Sequence, residues 1–408
     1  MIKKIKKYNS IKKEEITAGI KVLKSGNLSG FFGTQGKNFL GGKEVKKFEA
    51  QISKFFKTKY AVTFNSWTSG LIASLGAINI EPGDEVICTP WTMTASASAI
   101  LHWNAIPVFV DIEPKYYGLN LDLLKKKINK KTKAIVLVDI FGQSENIFQI
   151  KKIAKKYKVK IISDSAHAPS AKINNKFVGT LADVGGFSLN YHKHINTGEG
   201  GIAVTNNIKI AKKLRLIRNH GEAVISKNST EKELANVIGH NFRLGEIEAA
   251  IGFQQFKKLK SIAKFRTNLA KRLMFNLKNL PGLNLPQIRK GCSHVFYIFP
   301  MSIKEGFKID RKKLVTNLKK KGFPGLMEGY QNLHMLPIYQ KKIAYGTKGF
   351  PWKKYNEKIS YKKGICPVAE SLHDKSFFSI LLCSYEFSLN DIDNLSKIFK
   401  KEWQKILG

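Results

Sequence analysis

Between residues 58 and 205, short β-rich apolar runs alternate with amphipathic segments, and no other feature restricts the possible fold as strongly. The runs lie at 60–64, 85–88, 108–111, 134–139, 160–164, 183–189 and 201–205, with helix-period patterns such as 121–128 and 147–157 between them. Strands separated by helices pair in parallel, because each crossover carries the chain back over the sheet before the next strand begins. The expected architecture is therefore α/β, with a mostly parallel seven-stranded sheet flanked by helices. Ahead of it come an amphipathic helix at 13–24 and a glycine-rich arm from Gly30 to Gly42. A long helical pattern starts at Leu244 and ends near Leu280, where Pro281-Gly282 stops it. The domain boundary is expected in or just after that helix. The expected division is an N-terminal helix and arm at 1–42, a large domain at 43–260 and a smaller C-terminal α+β domain at 261–408.

Composition narrows the class of protein. Hydrophobic residues make up 43% of the 408, enough for a large core, which excludes a disordered or fibrous chain. No run approaches the ~18 apolar residues of a membrane span, and no apolar stretch follows the basic start at Met1 to Lys7, so neither membrane insertion nor a signal peptide is expected. Cys88, Cys292, Cys366 and Cys383 are widely spaced and fit neither a zinc site nor a disulfide framework, so a cytoplasmic location is expected. The net charge of +40 invites a nucleic-acid partner. However, only seven of the 70 basic residues are arginine, the first of them Arg215, and the lysines are scattered singly and in short runs. Arginine is the residue that reads bases and phosphates bidentately, so nucleic acid is not the expected partner.

Three strand ends carry residues suited to chemistry. After 60–64 comes Asn65-Ser66-Trp67-Thr68-Ser69-Gly70, a polar turn opening a helix. Free N–H groups and the helix dipole make such a turn an anion site, although the same residues serve elsewhere as plain N-caps. The run 160–164 ends in Asp164, at the sheet edge where open α/β folds bind ligands, with His167 three residues on. The third is the segment from Ser188 to Gly201, in which Lys193 lies between His192 and His194 and ahead of Thr197-Gly198-Glu199-Gly200-Gly201. A lysine in a partly buried, cation-rich setting has its pKa lowered, which favours the free amine that a Schiff base requires. The two histidines lack supporting ligands at metal-site spacing, so no metal is expected. A phosphate cradle, a deep aspartate and a Schiff-base lysine together match the needs of pyridoxal phosphate.

These motifs resemble the DegT/DnrJ/EryC1/StrS-type sugar aminotransferases, members of the fold-type I group of pyridoxal-phosphate enzymes, and the likeness covers nearly the whole chain. The resemblance implies a fold-type I transferase whose large domain, 43–260, binds the cofactor. It makes Lys193 the Schiff-base residue and general acid/base, and Asp164 the carboxylate under the pyridine nitrogen. Ser188 matches a serine that contacts the cofactor phosphate. Trp67 and Thr68 fall in the phosphate turn, with Trp67 standing where a small residue is common, so that its contact would run through the backbone. His167 falls where a glutamine near the cofactor 3-hydroxyl is frequent. Met93 occupies the usual ring-stacking place, with Trp91 two residues before it. The motif Gly239-His240-Asn241-Phe242-Arg243-Leu244-Gly245-Glu246 is similar to one at the dimer interface, where Asn241 would reach the phosphate of a neighbouring subunit.

The resemblance thus implies a homodimer with shared active sites. It would move an amino group from glutamate or glutamine to a keto sugar of the nucleotide-linked kind, in cell-surface polysaccharide biosynthesis. Arg243, beside a site motif, is a candidate for the donor's carboxylate and equally for a helix cap or interface residue. Two alternatives share the scaffold: a sugar dehydratase, with histidine in place of the lysine, and a regulator or nucleic-acid binder. The spacing to Thr197-Gly198-Glu199-Gly200 favours Lys193 over either histidine. The aromatic stretch 330–352 is read either as a substrate lid or as a cluster packed on the small domain.

Overall fold

The structure, a computed structural model, describes residues 4–407. The strands are β1 (Tyr60–Phe64), β2 (Glu85–Cys88), β3 (Ile106–Phe109), β4 (Thr132–Val138), β5 (Lys160–Asp164), β6 (Val184–Ser188) and β7 (Gly201–Thr205). They form one sheet in the order β1-β7-β6-β5-β4-β2-β3. Its pairs from β6 across to β3 are parallel, whereas β7 runs antiparallel to both β1 and β6. The reversal follows from the connection. Residues 189–200 contain no helix, so the chain returns beside the strand it has just left. The third strand lies two residues earlier than expected. Asp111 instead turns its carboxylate to the N–H groups of Val368 and Ala369, at 2.8 and 3.0 Å.

Helices α1 (Lys13–Ser25), α2 (Lys43–Phe56), α3 (Trp67–Ala77), α4 (Ala95–His102), α5 (Leu121–Lys127), α6 (Ile147–Tyr157) and α7 (Ile208–Arg218) accompany the sheet. Leu71 of α3, Ile100 of α4 and Leu214 of α7 share one core with Val62, Val86 and Val136. Ile87, Ile135 and Leu137 form a second core with Leu124 of α5 and Ile150 of α6. Since both faces are covered, β4 is apolar from Ala134 to Val138 without alternation.

The long helix α8 (Glu246–Leu277) ties this layer to a second sheet. Its first half places Ala249, Phe256 and Leu259 against α2, β1 and β7, and its second half places Leu269, Leu273 and Leu277 in another core. That core belongs to an antiparallel sheet of β8 (Leu283–Asn284), β9 (Phe299–Ile303), β10 (Leu326–Glu328) and β11 (Phe377–Ile380), in the order β8-β9-β11-β10. Helices α9 (Arg311–Lys320) and α10 (Leu389–Leu407) cover it, with Leu314, Phe399 and Trp403 buried. The aromatic stretch 330–352 packs on neither the small sheet nor the site as a free flap. Tyr339 and Trp352 are buried with Tyr361 in the core of the large sheet, and Tyr339 meets Phe109 of β3 edge to face at 5.1 Å. Among the described residues, no helix is long and apolar enough to cross a membrane.

Candidate active site

The carboxyl ends of β1, β2, β4, β5 and β6 open onto one cavity of about 180 Å³. At the end of β1, Ser66 caps α3 by accepting the Ser69 N–H at 3.1 Å, and the Ser69 hydroxyl donates to Asn65 Oδ1 at 2.7 Å. Helix geometry leaves the N–H groups of Trp67 and Thr68 without an intrahelical carbonyl, so the turn presents donors and a positive dipole end. Thr68 and Ser188 both line the cavity. Gly201 lets β7 begin against this turn, since a Cβ there would stand 2.5 Å from the Trp67 nitrogen.

Asp164 lies at the floor, only 5% exposed. Its Oδ1 accepts the Trp67 indole N–H at 2.9 Å and the Ala166 N–H at 3.2 Å, and its Oδ2 accepts the Ser96 hydroxyl at 2.8 Å. Burial raises the pKa of this carboxyl, while the three donors and the charge of Lys193 oppose the rise. Behind it, Asp139 accepts the hydroxyls of Ser163 and Ser165, both at 2.6 Å.

Lys193 is 7% exposed, and its ammonium lies over the Tyr297 ring, 4.5 Å from the centroid. Burial pushes the amine down to about 8, with the attraction of Asp164 offsetting part of the drop. The same burial, together with the lysine charge, holds His192 at about 4. His167 stacks on Tyr297 at 3.9 Å, and its buried Nδ1 has no hydrogen-bond partner. Burial puts its pKa well below the usual histidine value, so the ring is neutral at pH 7.

Met93 is 55% exposed and lines the cavity, whereas Trp91 is fully buried, edge to face with Phe377 at 5.2 Å. Of the two side chains, Met93 alone reaches the site. The structure brings seven of the nine candidates together: Trp67, Thr68, Met93, Asp164, His167, Ser188 and Lys193. Asn241 and Arg243 are not among them. Asn241 is exposed, and its segment docks on the outer side of the anion turn, where Phe242 accepts the Asn65 N–H at 2.9 Å. Arg243 has no carboxylate or carbonyl partner among the described residues, and its buried Nε is unpaired. The sequence reading omitted Ser96, Tyr297 and the indole of Trp67 as site groups. Ser96 sits at the start of a helix, where a serine signals nothing beyond the helix end, and no local pattern ties Tyr297 to Lys193.

A largely parallel sheet whose carboxyl edge presents an anion turn, a deep aspartate and a lysine amine defines a fold-type I pyridoxal-phosphate enzyme. The family model of the DegT/DnrJ/EryC1/StrS aminotransferases matches residues 32–378, and the chain belongs to that family. The chain is 34% identical to a UDP-4-amino-4,6-dideoxy-N-acetyl-beta-L-altrosamine transaminase of Helicobacter pylori, over 81% of this chain and 83% of the relative. It is 30% identical to the spore coat polysaccharide biosynthesis protein SpsC of Bacillus subtilis, over 89% and 92%. Among solved structures it is similar to Helicobacter pylori PseC, an aminotransferase involved in the biosynthesis of pseudoaminic acid. That match has a TM-score of 0.81 and 27% identity, and covers 99% of this chain and 100% of that one. The chain is thus a pyridoxal-phosphate-dependent sugar aminotransferase. Its site fits the cofactor on three observations: free donors at the anion turn, the unpartnered His167 Nδ1, and a lysine amine with its pKa lowered to about 8 in the same cavity.

Proposed function

We propose that this enzyme moves an amino group from glutamate or glutamine to a nucleotide-linked keto sugar, in the cytoplasm and as a homodimer, for cell-surface polysaccharide biosynthesis. The substrate class follows the activities for which the relatives are named. The observation that carries the catalytic assignment is Lys193, a nearly buried amine with its pKa lowered to about 8 in the cavity that also holds Asp164. Bound pyridoxal phosphate supplies an electron sink that lets a carbon beside the amino nitrogen lose its proton. The amides of Trp67 and Thr68 and the hydroxyls of Thr68 and Ser188 would hold the phosphate. Asp164 would accept the N–H of the pyridine ring and keep that nitrogen protonated, His167 would meet the 3-hydroxyl, and Met93 would cover the ring face. Lys193 Nζ takes up and returns the proton moved in each half-reaction.

Three features support the dimer. Asn241 lies outside the cavity of its own chain, and Tyr191 and Ile238 are 71% and 69% exposed. Arg243 stands beside Asn241 and, like Arg215 and Arg266, has no carboxylate partner among the described residues, whereas Arg218, Arg272, Arg289 and Arg311 are ion-paired. In this reading Asn241 and Arg243 serve the cavity of a second copy, the first at the phosphate and the second at the donor carboxylate. The expected boundary near 260 is supported by the way α8 shares its two halves between two cores, although Leu333, Tyr339, Trp352 and Tyr361 beyond it join the core of the large sheet. Four free cysteines suit a reducing compartment.

The test is a visible spectrum of the purified protein with pyridoxal phosphate, before and after glutamate and glutamine. The expected result is a yellow band that fades on adding a donor, and that is absent in Lys193→Ala while the variant stays folded. Transamination retained by Lys193→Ala would refute the assignment. A band that ignores both donors would refute the donor class.

A further inference from the structure

We infer that Trp67 is a positioning residue for Asp164: its indole N–H, with the Ser96 hydroxyl on the other oxygen, clamps the carboxylate in the orientation the cofactor nitrogen needs. The inference rests on the function proposed above and concerns a part of the site that the anion turn does not explain. Trp67 is the first residue of α3, where its backbone alone would serve a phosphate, yet its side chain turns inward and is 4% exposed. Room is cleared for it at two glycines. A Cβ on Gly186 of β6 would stand 1.9 Å from the indole ring, and one on Gly70 would stand 2.5 Å from it.

The bond is also distinctive within this chain. Of the five tryptophans, Trp103, Trp352 and Trp403 give their indole N–H to neutral oxygens, and Trp91 has no partner. Trp67 alone donates to a carboxylate, at 2.9 Å. Trp67 and Ser96 approach different oxygens, so together they fix the carboxylate plane and favour its ionised form. A third donor, the Ala166 N–H, belongs to the loop that carries Asp164 and sets no direction across the cavity. A large aromatic residue at the anion turn therefore links the phosphate end of the site to its pyridine end.

The experiment is a double-mutant cycle on cofactor affinity, read by titrating cofactor-free protein with pyridoxal phosphate. Trp67→Phe keeps an aromatic ring and removes the donor. It should raise the dissociation constant roughly tenfold in the native background and leave it unchanged in Asp164→Ala, as expected for a hydrogen bond to a charged group. Equal losses in both backgrounds would mean that Trp67 acts only by packing, and would overturn the inference.

A second measurement leaves Trp67 in place and so survives misfolding of Trp67→Phe. In indole-labelled protein, one of the five N–H resonances should shift markedly when Asp164 becomes Ala in the cofactor-free state. If none moves, the clamp does not exist. Native protein that binds no pyridoxal phosphate would instead bring down the proposed function, and this inference with it. Weaker binding in Asp164→Ala, with no effect of Trp67→Phe and no shifted resonance, would remove the clamp alone.

Discussion

Replacing Lys193 with Met should make the cofactor-free protein more stable at neutral pH while abolishing its activity. The amine is buried, and its pKa is lowered from 10.5 to about 8, a value that already includes the attraction of Asp164. Such a drop corresponds to roughly 3 kcal/mol of penalty on the charged form. The sign follows from proton counting. Between about pH 8 and 10.5 the unfolded chain binds the proton that the folded site releases, so this group adds stability as the pH rises. The penalty is fully present below about 8, fades across that window and is absent above it. Methionine has a similar unbranched length and no charge, so it fills the space without the penalty.

The expected gain is therefore up to roughly 3 kcal/mol at pH 7, shrinking toward zero near pH 10.5. For a folding unit of 150–250 residues, each kcal/mol moves the melting midpoint by roughly 2–4 °C, so several degrees should separate the two proteins at pH 7. Because the chain builds two sheets with separate cores, the comparison is made on the transition that includes the large sheet. The assay is paired thermal melts of cofactor-free native protein and Lys193→Met from pH 7 to 10. No gain at pH 7, or a gain that persists unchanged to pH 10, would refute the claim that a buried ammonium is held there at a cost.

Two further predictions separate packing from chemistry around the same cavity. Trp91 is fully buried and Met93 is 55% exposed. Trp91→Ala should therefore cost about 3–5 kcal/mol of stability, whereas Met93→Ala should stay within about 0.5 kcal/mol and instead weaken pyridoxal-phosphate binding. Denaturant unfolding paired with cofactor titration checks both, and the reverse pattern would show that Trp91 covers the ring. Gly186→Ala would push a methyl into the Trp67 ring and to within 2.4 Å of the Ile202 carbonyl oxygen. It should cost about 1–3 kcal/mol and loosen the cofactor, and a melting midpoint equal to the native one would show that Trp67 has freedom the packing denies it.

What the sequence revealed and what it concealed divide along the range of the interactions. Lys193, Asp164, Ser188 and the turn at Trp67-Thr68 were legible because each sits at a strand end, within a few residues of the run that fixes its place on the sheet edge. All of them line the cavity. The strand count was legible for the same reason: β-rich runs and breakers are local. The direction of β7 was readable only from the helix-free connection before it, and β3 ends before Asp111, whose carboxylate is engaged with the N–H groups of Val368 and Ala369 far along the chain. The packing of 330–352 was also concealed, since aromatic residues in a loop look alike whether they cover a ligand or fill the core beside Phe109. The site groups that the sequence withheld come from elements brought together by folding. Tyr297 reaches Lys193 and His167 from just before β9, and Ser96 reaches Asp164 from α4. Trp67 is the instructive case. Its position in the anion turn was plain, yet its side-chain contact depended on Gly186, a residue on another strand whose missing Cβ opens the path to Asp164. A local motif thus located the backbone proposed to hold the phosphate, and only the packing of β6 against α3 showed that the side chain of the same residue is bonded to the aspartate.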